Sequence, residues 1–347
     1  MKKVGVIGGG SLGTALAQIT SQNADEVYLY LRRKELADKI NETGFNNEYY
    51  PNTKLNDNIT AITDFEELED CEIVFLSVPS SALRETLSNL KEFIDEDTIL
   101  VSTAKGIEYP SLKTMGNLIG EIFNEDYVSL SGPNFASEMV LNLETVSNIA
   151  SKNEENSKKV KEVLTTPQFK VKIIDDVIGL EICGVTKNIN AIANGICKGM
   201  NVNENARYAI LTKGFEETRN IVEAIGGNPS TVREYCGFGD LVLTSTSNES
   251  RNHTLGMLYG QRIIVDEDAS GIVVEGKKSI KAIKDICEKT NTKSIIVDFV
   301  YDVVINQIQP KIAFKQLWEK IEEWMQLLMM EQLLIMSNYR CWTILMI

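Results

Sequence analysis

Residues 4–13 read Val-Gly-Val-Ile-Gly-Gly-Gly-Ser-Leu-Gly, an apolar run that passes straight into a glycine loop. Gly8, Gly10 and Gly13 fall at G-x-G-x-x-G spacing. No other feature constrains the fold as strongly, because it asks for a buried strand, a tight turn and a helix in immediate succession. Gly8 permits the turn, Gly10 leaves the backbone open to a pyrophosphate, and Gly13 lets the following helix pack on the strand. That helix, expected from Leu12 to about Thr20, aims its N-terminal N–H groups and positive dipole end at the phosphates. The spacing alone is weak evidence. The strand before it, the helix after it and a second apolar strand at Val27–Leu31 strengthen it.

The end of that second strand reports on the nucleotide. A site for NAD usually places Asp or Glu there, about 20 residues past the glycines, to hold the ribose 2′-hydroxyl. This chain has Arg32 and Arg33 instead. A carboxylate would repel a 2′-phosphate, whereas a guanidinium grips it bidentately. NADP(H) is therefore expected in preference to NAD(H), with NAD(H) as the alternative. The competing reading is that both arginines are solvated surface charge.

Composition narrows the class of protein. A chain of 347 residues has room for two domains. Its formal charge of −14, with no basic block, argues against a nucleic-acid partner. Met1-Lys2-Lys3 leads directly into the first strand, so no signal peptide is expected. The six cysteines, Cys71, Cys183, Cys197, Cys236, Cys287 and Cys341, are scattered without a C-x-x-C pair. They suit a reduced, cytoplasmic protein better than a disulfide framework or a zinc site. His253 is the only histidine, and no G-x-S-x-G elbow accompanies it, so no metal site and no Ser-His-Asp hydrolase is expected.

The first half alternates strands with helices. Ile73–Val78, Thr98–Thr103 and Tyr127–Ser131 are short apolar runs that stop at Pro79, Lys105-Gly106 and Gly132-Pro133. This is the pattern of a parallel sheet covered on both faces, whose ligands bind at the C-terminal ends of the strands. Beyond Gly179 the pattern turns helical, with helices expected over 185–200, 205–226, 228–235, 240–247, 254–260, 275–289, 295–305 and 311–335. The fold class is thus α/β plus all-α: a Rossmann-type, doubly wound parallel sheet in residues 1–179 and an all-helical substrate domain in 180–347. The stretch from Trp324 onward is apolar nearly all round, but Glu331 and Arg340 interrupt it. It falls short of the roughly 18 apolar residues a membrane span needs, so no stable membrane anchor is expected.

Two clusters carry chemistry. Lys187-Asn188 sits in the small-residue helix, and Gly239-Asp240 runs on to Thr244 and then to Ser250-Arg251-Asn252. A lysine among Ile and Ala positions is a candidate for a lowered pKa, since desolvation disfavours the ammonium, and such a lysine exchanges protons near neutrality. Asp240 could orient it, and Arg251 and Asn252 could hold an anion. Each has a bland alternative: a snorkelling lysine, a helix N-cap, a solvated arginine.

In combination these segments resemble the NAD(P)-dependent glycerol-3-phosphate dehydrogenases of the bacterial type. The likeness runs through residues 130–138, 184–188, 239–244, 250–252 and 273–276, over roughly 1–318, in order and in spacing. It implies that Lys187 exchanges the proton of the C2 oxygen and that Asp240 belongs with it in the catalytic pair. It implies a substrate site of Lys105, Gly132, Asn134, Lys187, Asp240, Thr244, Ser250, Arg251 and Asn252. The cofactor site it implies comprises Gly8, Gly10, Ser11, Leu12, Gly13, Arg32, Arg33, Lys105, Ala136, Arg251, Val273 and Glu275. The implied reaction is reversible reduction of dihydroxyacetone phosphate to sn-glycerol 3-phosphate for glycerophospholipid synthesis, by a homodimer. A reductase of another small keto acid or an NADP(H)-binding sensor are the competing readings. The chain departs from the family pattern at Leu143-Glu144-Thr145, at Cys183 and Thr186, and in its tail from about 319.

Overall fold

The computed structural model describes residues 1–263 and 271–321, apart from the side chains of 271–275. Along the first half run β1 (Lys3–Ile7), α1 (Ser11–Thr20), β2 (Glu26–Tyr30), α2 (Lys34–Thr43), β3 (Ile59–Ile62), β4 (Ile73–Leu76), α3 (Leu83–Leu90), β5 (Ile99–Ser102), a hairpin of β6 (Ile107–Glu108) and β7 (Lys113–Thr114), α4 (Met115–Ile122), β8 (Val128–Ser131), α5 (Ala136–Val140), β9 (Thr145–Ala150), α6 (Glu154–Leu164) and β10 (Phe169–Ile174). The second half runs α7 (Val177–Gly199), α8 (Glu204–Ala224), α9 (Asp240–Thr246), α10 (Arg251–Gly260), α11 (Gly271–Thr290) and α12 (Ile295–Val304).

The sheet has eight strands in the order β10-β9-β8-β5-β4-β1-β2-β3. From β3 to β8 the strands are parallel, while β9 lies antiparallel to β8 and parallel to β10. Alternation along each strand feeds two cores. Val4, Val6, Phe75 and Val101 pack under α1 and α6 on one face. Ile7, Val74, Leu76 and Leu100 pack under α3 and α4 on the other. Because both faces are covered, β4 (Ile-Val-Phe-Leu) is apolar and buried at every residue. Chain order reverses between β1 and β4, which is where a sheet of this kind opens a ligand crevice.

The strands β3, β9 and β10 were absent from the sequence-based expectation, and so was the hairpin. In β9 the buried positions include Thr145, Ser147 and Asn148, so polar residues hide the hydrophobic signal. Helix α7 begins eight residues earlier than expected, at Val177, where the Asp176 side chain accepts from Gly179 N at 2.9 Å. No continuous helix forms over 228–235. Asn228 caps a short 3₁₀ turn at Pro229–Arg233, Glu234 is extended, and one turn of π-helix follows at Tyr235–Gly239. The helix expected over 311–335 is described over 310–321; its remainder and the rest of the tail lie outside the described residues. A third core, with Ile189, Ile192, Ile283 and Phe299, joins α7, α11 and α12. No helix among the described residues is long and apolar enough to cross a membrane.

Candidate active site

Three charged side chains meet where the sheet faces the helices. Lys187 Nζ lies 2.5 Å from Asp240 Oδ1, and Lys105 Nζ lies 2.8 Å from Asp240 Oδ2. Lys187 comes from the middle of α7, Asp240 opens α9, and Lys105 follows β5. Thr244, one turn along α9, donates from its hydroxyl to Asp240 Oδ1 at 3.1 Å. Lys105 Nζ also lies 3.4 Å from the Gly132 carbonyl. Lys187 is 8% exposed and Asp240 1%.

Two ammoniums therefore share one buried carboxylate. Burial is the largest influence on Lys187 and pushes its ammonium down to about 7; Asp240 opposes that shift and Lys105 adds to it. Burial alone would raise the Asp240 carboxyl, but Lys105 and Lys187 outweigh it and hold it below its usual range. A group that titrates near neutrality beside a fixed anion is suited to give and take a proton at a bound alcohol or ketone.

The surroundings explain how these groups are held. Gly184, one turn before Lys187, leaves room for Lys105: a Cβ there would stand 3.4 Å from Lys105 Cγ and 3.3 Å from Ser131 Oγ. The π-turn before Asp240 is pinned from the sheet, since Asn148 Oδ1 accepts from Cys236 N at 2.8 Å and Lys172 pairs with Glu234 at 2.6 Å. Single π-turns often mark functional sites, and this one sets where α9 starts. Helix α10 packs against α7 through glycines on both. A Cβ at Gly195 would stand 2.2 Å from His253 O, and one at Gly256 would stand 2.3 Å from Ile192 O. This contact brings the start of α10 beside the helix that carries Lys187.

At the start of α10, Ser250 accepts from His253 N at 3.2 Å as the helix cap, and Arg251 is exposed. Arg251 reaches the glycine loop electrostatically: its charge lowers the pKa of Tyr50, against the larger upward effect of burial. The Tyr50 hydroxyl lies 2.6 Å from Ser11 Oγ. Ser137, next to Ala136, donates to Glu249 at 3.1 Å and so ties the segment after β8 to the segment before α10.

The glycine loop is shaped for a phosphate. A Cβ at Gly8 (φ +117°) would lie 2.3 Å from Ser77 O, and one at Gly13 would lie 1.8 Å from Gly8 O. At Gly10 nothing stands closer than Tyr49 OH at 4.0 Å. Helix α1 begins at Ser11 with no side chain capping its first N–H groups. Two glycines are thus demanded by the protein itself, while the third faces open space at a helix N-terminus, which fits a dinucleotide pyrophosphate.

The expected residues do not all converge. Gly8, Gly10, Ser11, Leu12 and Gly13 form one cluster, and Lys105, Gly132, Lys187, Asp240 and Thr244 form another. Asn134 lies after Gly132, yet its amide is engaged by β9, donating to Val146 O at 3.3 Å and accepting from Ser147 Oγ at 3.1 Å. Arg33 is held in an ion pair by Glu48, while Arg32 is exposed beside it. Val273 and Glu275 lie on α11, with side chains outside the described residues. Several residues with evident jobs escaped sequence reasoning. Asn46, fully buried, donates to Gly9 O at 3.0 Å and to Thr14 Oγ1 at 2.8 Å. The hydroxyls of Ser77 and Ser131 are buried beside the two clusters without a protein partner. No local motif announces such contacts, because their partners lie tens of residues away.

Comparison with known proteins covers most of the chain. Residues 3–157 match the family model for the NAD-dependent glycerol-3-phosphate dehydrogenase N-terminus, and residues 176–315 match the model for its C-terminus. A glycerol-3-phosphate dehydrogenase [NAD(P)+] of Clostridium botulinum is 38% identical over 320 residues, covering 91% of this chain and 97% of the relative. One from Methanothermobacter thermautotrophicus is 37% identical over 320 residues, covering 92% and 98%. The crystal structure of glycerol-3-phosphate dehydrogenase from Coxiella burnetii superposes with a TM-score of 0.84 at 31% identity, covering 92% of this chain and 99% of that one.

Proposed function

The chain belongs to the NAD-dependent glycerol-3-phosphate dehydrogenase family, and from that premise we propose that it catalyses the reversible, NAD(P)H-dependent reduction of dihydroxyacetone phosphate to sn-glycerol 3-phosphate, feeding glycerophospholipid synthesis. The observation that carries this reading is the buried Lys187–Asp240–Lys105 cluster, with Lys187 poised at about 7. A nicotinamide, when bound, supplies the hydride that reaches the C2 carbonyl carbon. As negative charge grows on the carbonyl oxygen, the Lys187 ammonium stabilises it and then gives up a proton. In the oxidative direction neutral Lys187 takes the C2 hydroxyl proton. Asp240 stays ionised and offsets the two lysines, and Thr244 steadies its carboxylate.

The substrate phosphate is assigned to Ser250, Arg251 and Asn252 at the N-terminus of α10, where helix dipole and guanidinium act together. Holding the phosphate there fixes the carbonyl against Lys187. Lys105, Gly132 and Asn134 complete the substrate site. The cofactor is assigned to the loop of Gly8, Gly10, Ser11, Leu12 and Gly13, with Ala136, Lys105 and Arg251 nearby and Val273 and Glu275 on α11. Preference for NADP(H) over NAD(H) rests on Arg32 and Arg33, and Arg33 must share its charge with Glu48 to contribute. Residues 1–179 form the cofactor domain and 180–347 the substrate domain in this reading, a division supported by a core built almost wholly from the later helices, with Ile107 entering it from the first domain. Assembly as a homodimer and a cytoplasmic setting complete it. The setting is supported by Cys71, Cys183, Cys197, Cys236 and Cys287, all buried free thiols.

The test is loss of reduced-nicotinamide absorbance with dihydroxyacetone phosphate and either NADPH or NADH, for wild type and Lys187→Ala. Rapid oxidation that collapses in the variant supports reaction, substrate and proton donor together. A folded wild type that binds NADPH but turns nothing over would overturn the assignment and favour the sensor reading.

A further inference from the structure

One charged contact between the cofactor half and the helical half leads directly into a short hairpin. Lys105 precedes β6, and its Nζ is the contact that the sheet side makes with buried Asp240. Gly106 follows so closely over the segment before α3 that a Cβ there would lie 2.5 Å from the Ser80 side chain. Strand alternation then sends neighbours in opposite directions. Ile107, 3% exposed, enters the helical core with Ile182 and Val185 of α7. Glu108 is gripped on the other side by Arg84 of α3, Nε to Oε1 at 2.6 Å and Nη2 to Oε2 at 2.9 Å. Ser111 Oγ donates to the same carboxylate at 2.5 Å. Arg84 also reaches Glu121 of α4 at 3.2 Å, and Lys113 of β7 reaches Glu121 at 2.6 Å. Four charges of alternating sign thus fasten both strands of the hairpin to α3 and α4.

An isolated exposed ion pair contributes little, but a bidentate arginine inside a network is the geometry that does constrain position. The carboxyl of Glu108 is held at about 2, chiefly by its hydrogen bonds from Arg84. The Glu108 carboxylate therefore stays charged across the working range of an enzyme. No member of it reaches Asp240 or Lys187; only Lys105, three residues before Glu108, does so.

We propose that Arg84 and Glu108 are positioning residues of the active site: by clamping the β6–β7 hairpin to α3 they hold Lys105 against Asp240. Lys105 is one of the two charged groups acting on Lys187, and it disfavours the Lys187 ammonium while Asp240 favours it. Releasing the hairpin lets Lys105 drift from the carboxylate. Asp240 is then left to Lys187 alone, and the ammonium of Lys187 becomes harder to deprotonate. This inference rests on Lys187 as the proton-exchanging group.

The experiment compares wild type with Arg84→Ala, Arg84→Lys, Glu108→Gln and the exchange Arg84→Glu/Glu108→Arg, across pH. Each is assayed for dihydroxyacetone phosphate reduction and glycerol 3-phosphate oxidation, with NADPH affinity by fluorescence and melting temperature alongside. For Arg84→Ala and Glu108→Gln, kcat is expected to fall on the order of ten-fold with NADPH affinity unchanged, as for a misplaced catalytic neighbour. The midpoint of the oxidative pH profile should move upward by roughly half a unit or more. Added guanidinium should restore part of the kcat of Arg84→Ala, and the exchanged pair should recover more activity than either single variant. A lower melting temperature with unchanged kcat and unmoved pH midpoint would overturn the proposal and leave the network a purely structural brace. If wild type itself reduces nothing, the functional reading fails rather than this one. If wild type is active and Arg84→Lys and Glu108→Gln fold but match it at every pH, this inference alone fails.

Discussion

The glycine loop after β1 and the charged cluster around Asp240 solve opposite problems. The loop is made by removing side chains, so that backbone meets backbone at Gly8 and Gly13 and open space remains at Gly10. The cluster is made by burying side chains that would rather be in water, two lysines on one aspartate. The loop's glycine spacing spans only six residues, although Ser77, Asn46, Tyr50, Tyr30 and Leu31 close around it. The cluster needs partners 53 and 135 residues away. On the proposed reading, the motif for a phosphate is written locally, whereas the group that would exchange a proton is set by tertiary structure. Substitutions in the loop should change what is bound. Those in the cluster should change how fast, and at what pH, the bound molecule reacts.

The largest expected effect separates the two regions cleanly. Lys187→Ala should lower kcat/KM by roughly 10²–10⁴-fold, the usual worth of a positioned proton donor, with NADPH affinity intact. Stopped-flow turnover set beside NADPH fluorescence titration reads both. A variant that lost cofactor binding to the same degree would blur the comparison, because Lys187 would then be serving both regions.

The pH dependence sharpens the same point. Lys187 is depressed to about 7, with Asp240 ionised beside it. Reduction needs the ammonium, so its kcat/KM should fall as pH rises through about 7. Oxidation needs the neutral amine, so its kcat/KM should rise over the same window. Initial rates in both directions from pH 5.5 to 9.5 give the two midpoints; profiles without opposite slopes near neutrality would show that another group carries the proton.

Within the loop, two glycines should behave differently. Gly13→Ala places a methyl 1.8 Å from Gly8 O, a clash with backbone that cannot move aside. It should destabilise by roughly 1–3 kcal/mol, the scale of an overpacked site. Gly10 has φ −80° and ψ −170°, an ordinary extended conformation, and only Tyr49 OH approaches its missing Cβ. Gly10→Ala should therefore melt like wild type yet bind NADPH more weakly, by roughly ten-fold or more, since only the phosphate occupies that space. Calorimetry and titration on the pair decide it; equal losses of stability would mean that Gly10 too is a packing residue.

The contrast between local and distant design also explains what was legible in the chain. β1, the glycine loop and α1 could be read because strand, glycine spacing and helix follow one another within a few positions. β4 and β5 could be read because a doubly covered strand is largely apolar. β9 could not, because Ser147 and Asn148 are buried for polar work: Ser147 donates to Asn134, and Asn148 holds the turn before Asp240. β10 was readable in principle, since Phe169 and Val171 alternate with Lys170 and Lys172. The π-turn at Tyr235–Gly239 carries no helix period to detect, and a 228–235 helix was the natural misreading of Pro229 and its neighbours. At the site, Lys187 and Asp240 were named from the motifs they sit in. That Lys105 shares the carboxylate follows only once β5 and α9 are brought together, and the Arg84–Glu108 clamp has no signal in either local sequence.

The smallest effect expected lies at the edge of the loop, at Arg33, the side-chain charge proposed to join the backbone in recognition. Arg33 is paired to Glu48, with both partly in solvent at 61% and 40% exposure. An exposed pair of this kind contributes little to stability, so Glu48→Gln should leave it nearly unchanged. It frees the guanidinium, and a freed Arg33 attracts the 2′-phosphate that NADPH carries and NADH lacks. The ratio of kcat/KM for NADPH over NADH should rise by roughly two- to five-fold, the factor that corresponds to such a pair, and the gain should shrink as salt screens it. If both cofactors change together, or neither does, Arg33 is surface charge and the discrimination falls to Arg32. In that case the nucleotide half would rely on its backbone and on Arg32 alone, still in contrast with the paired side chains of the cluster at Asp240.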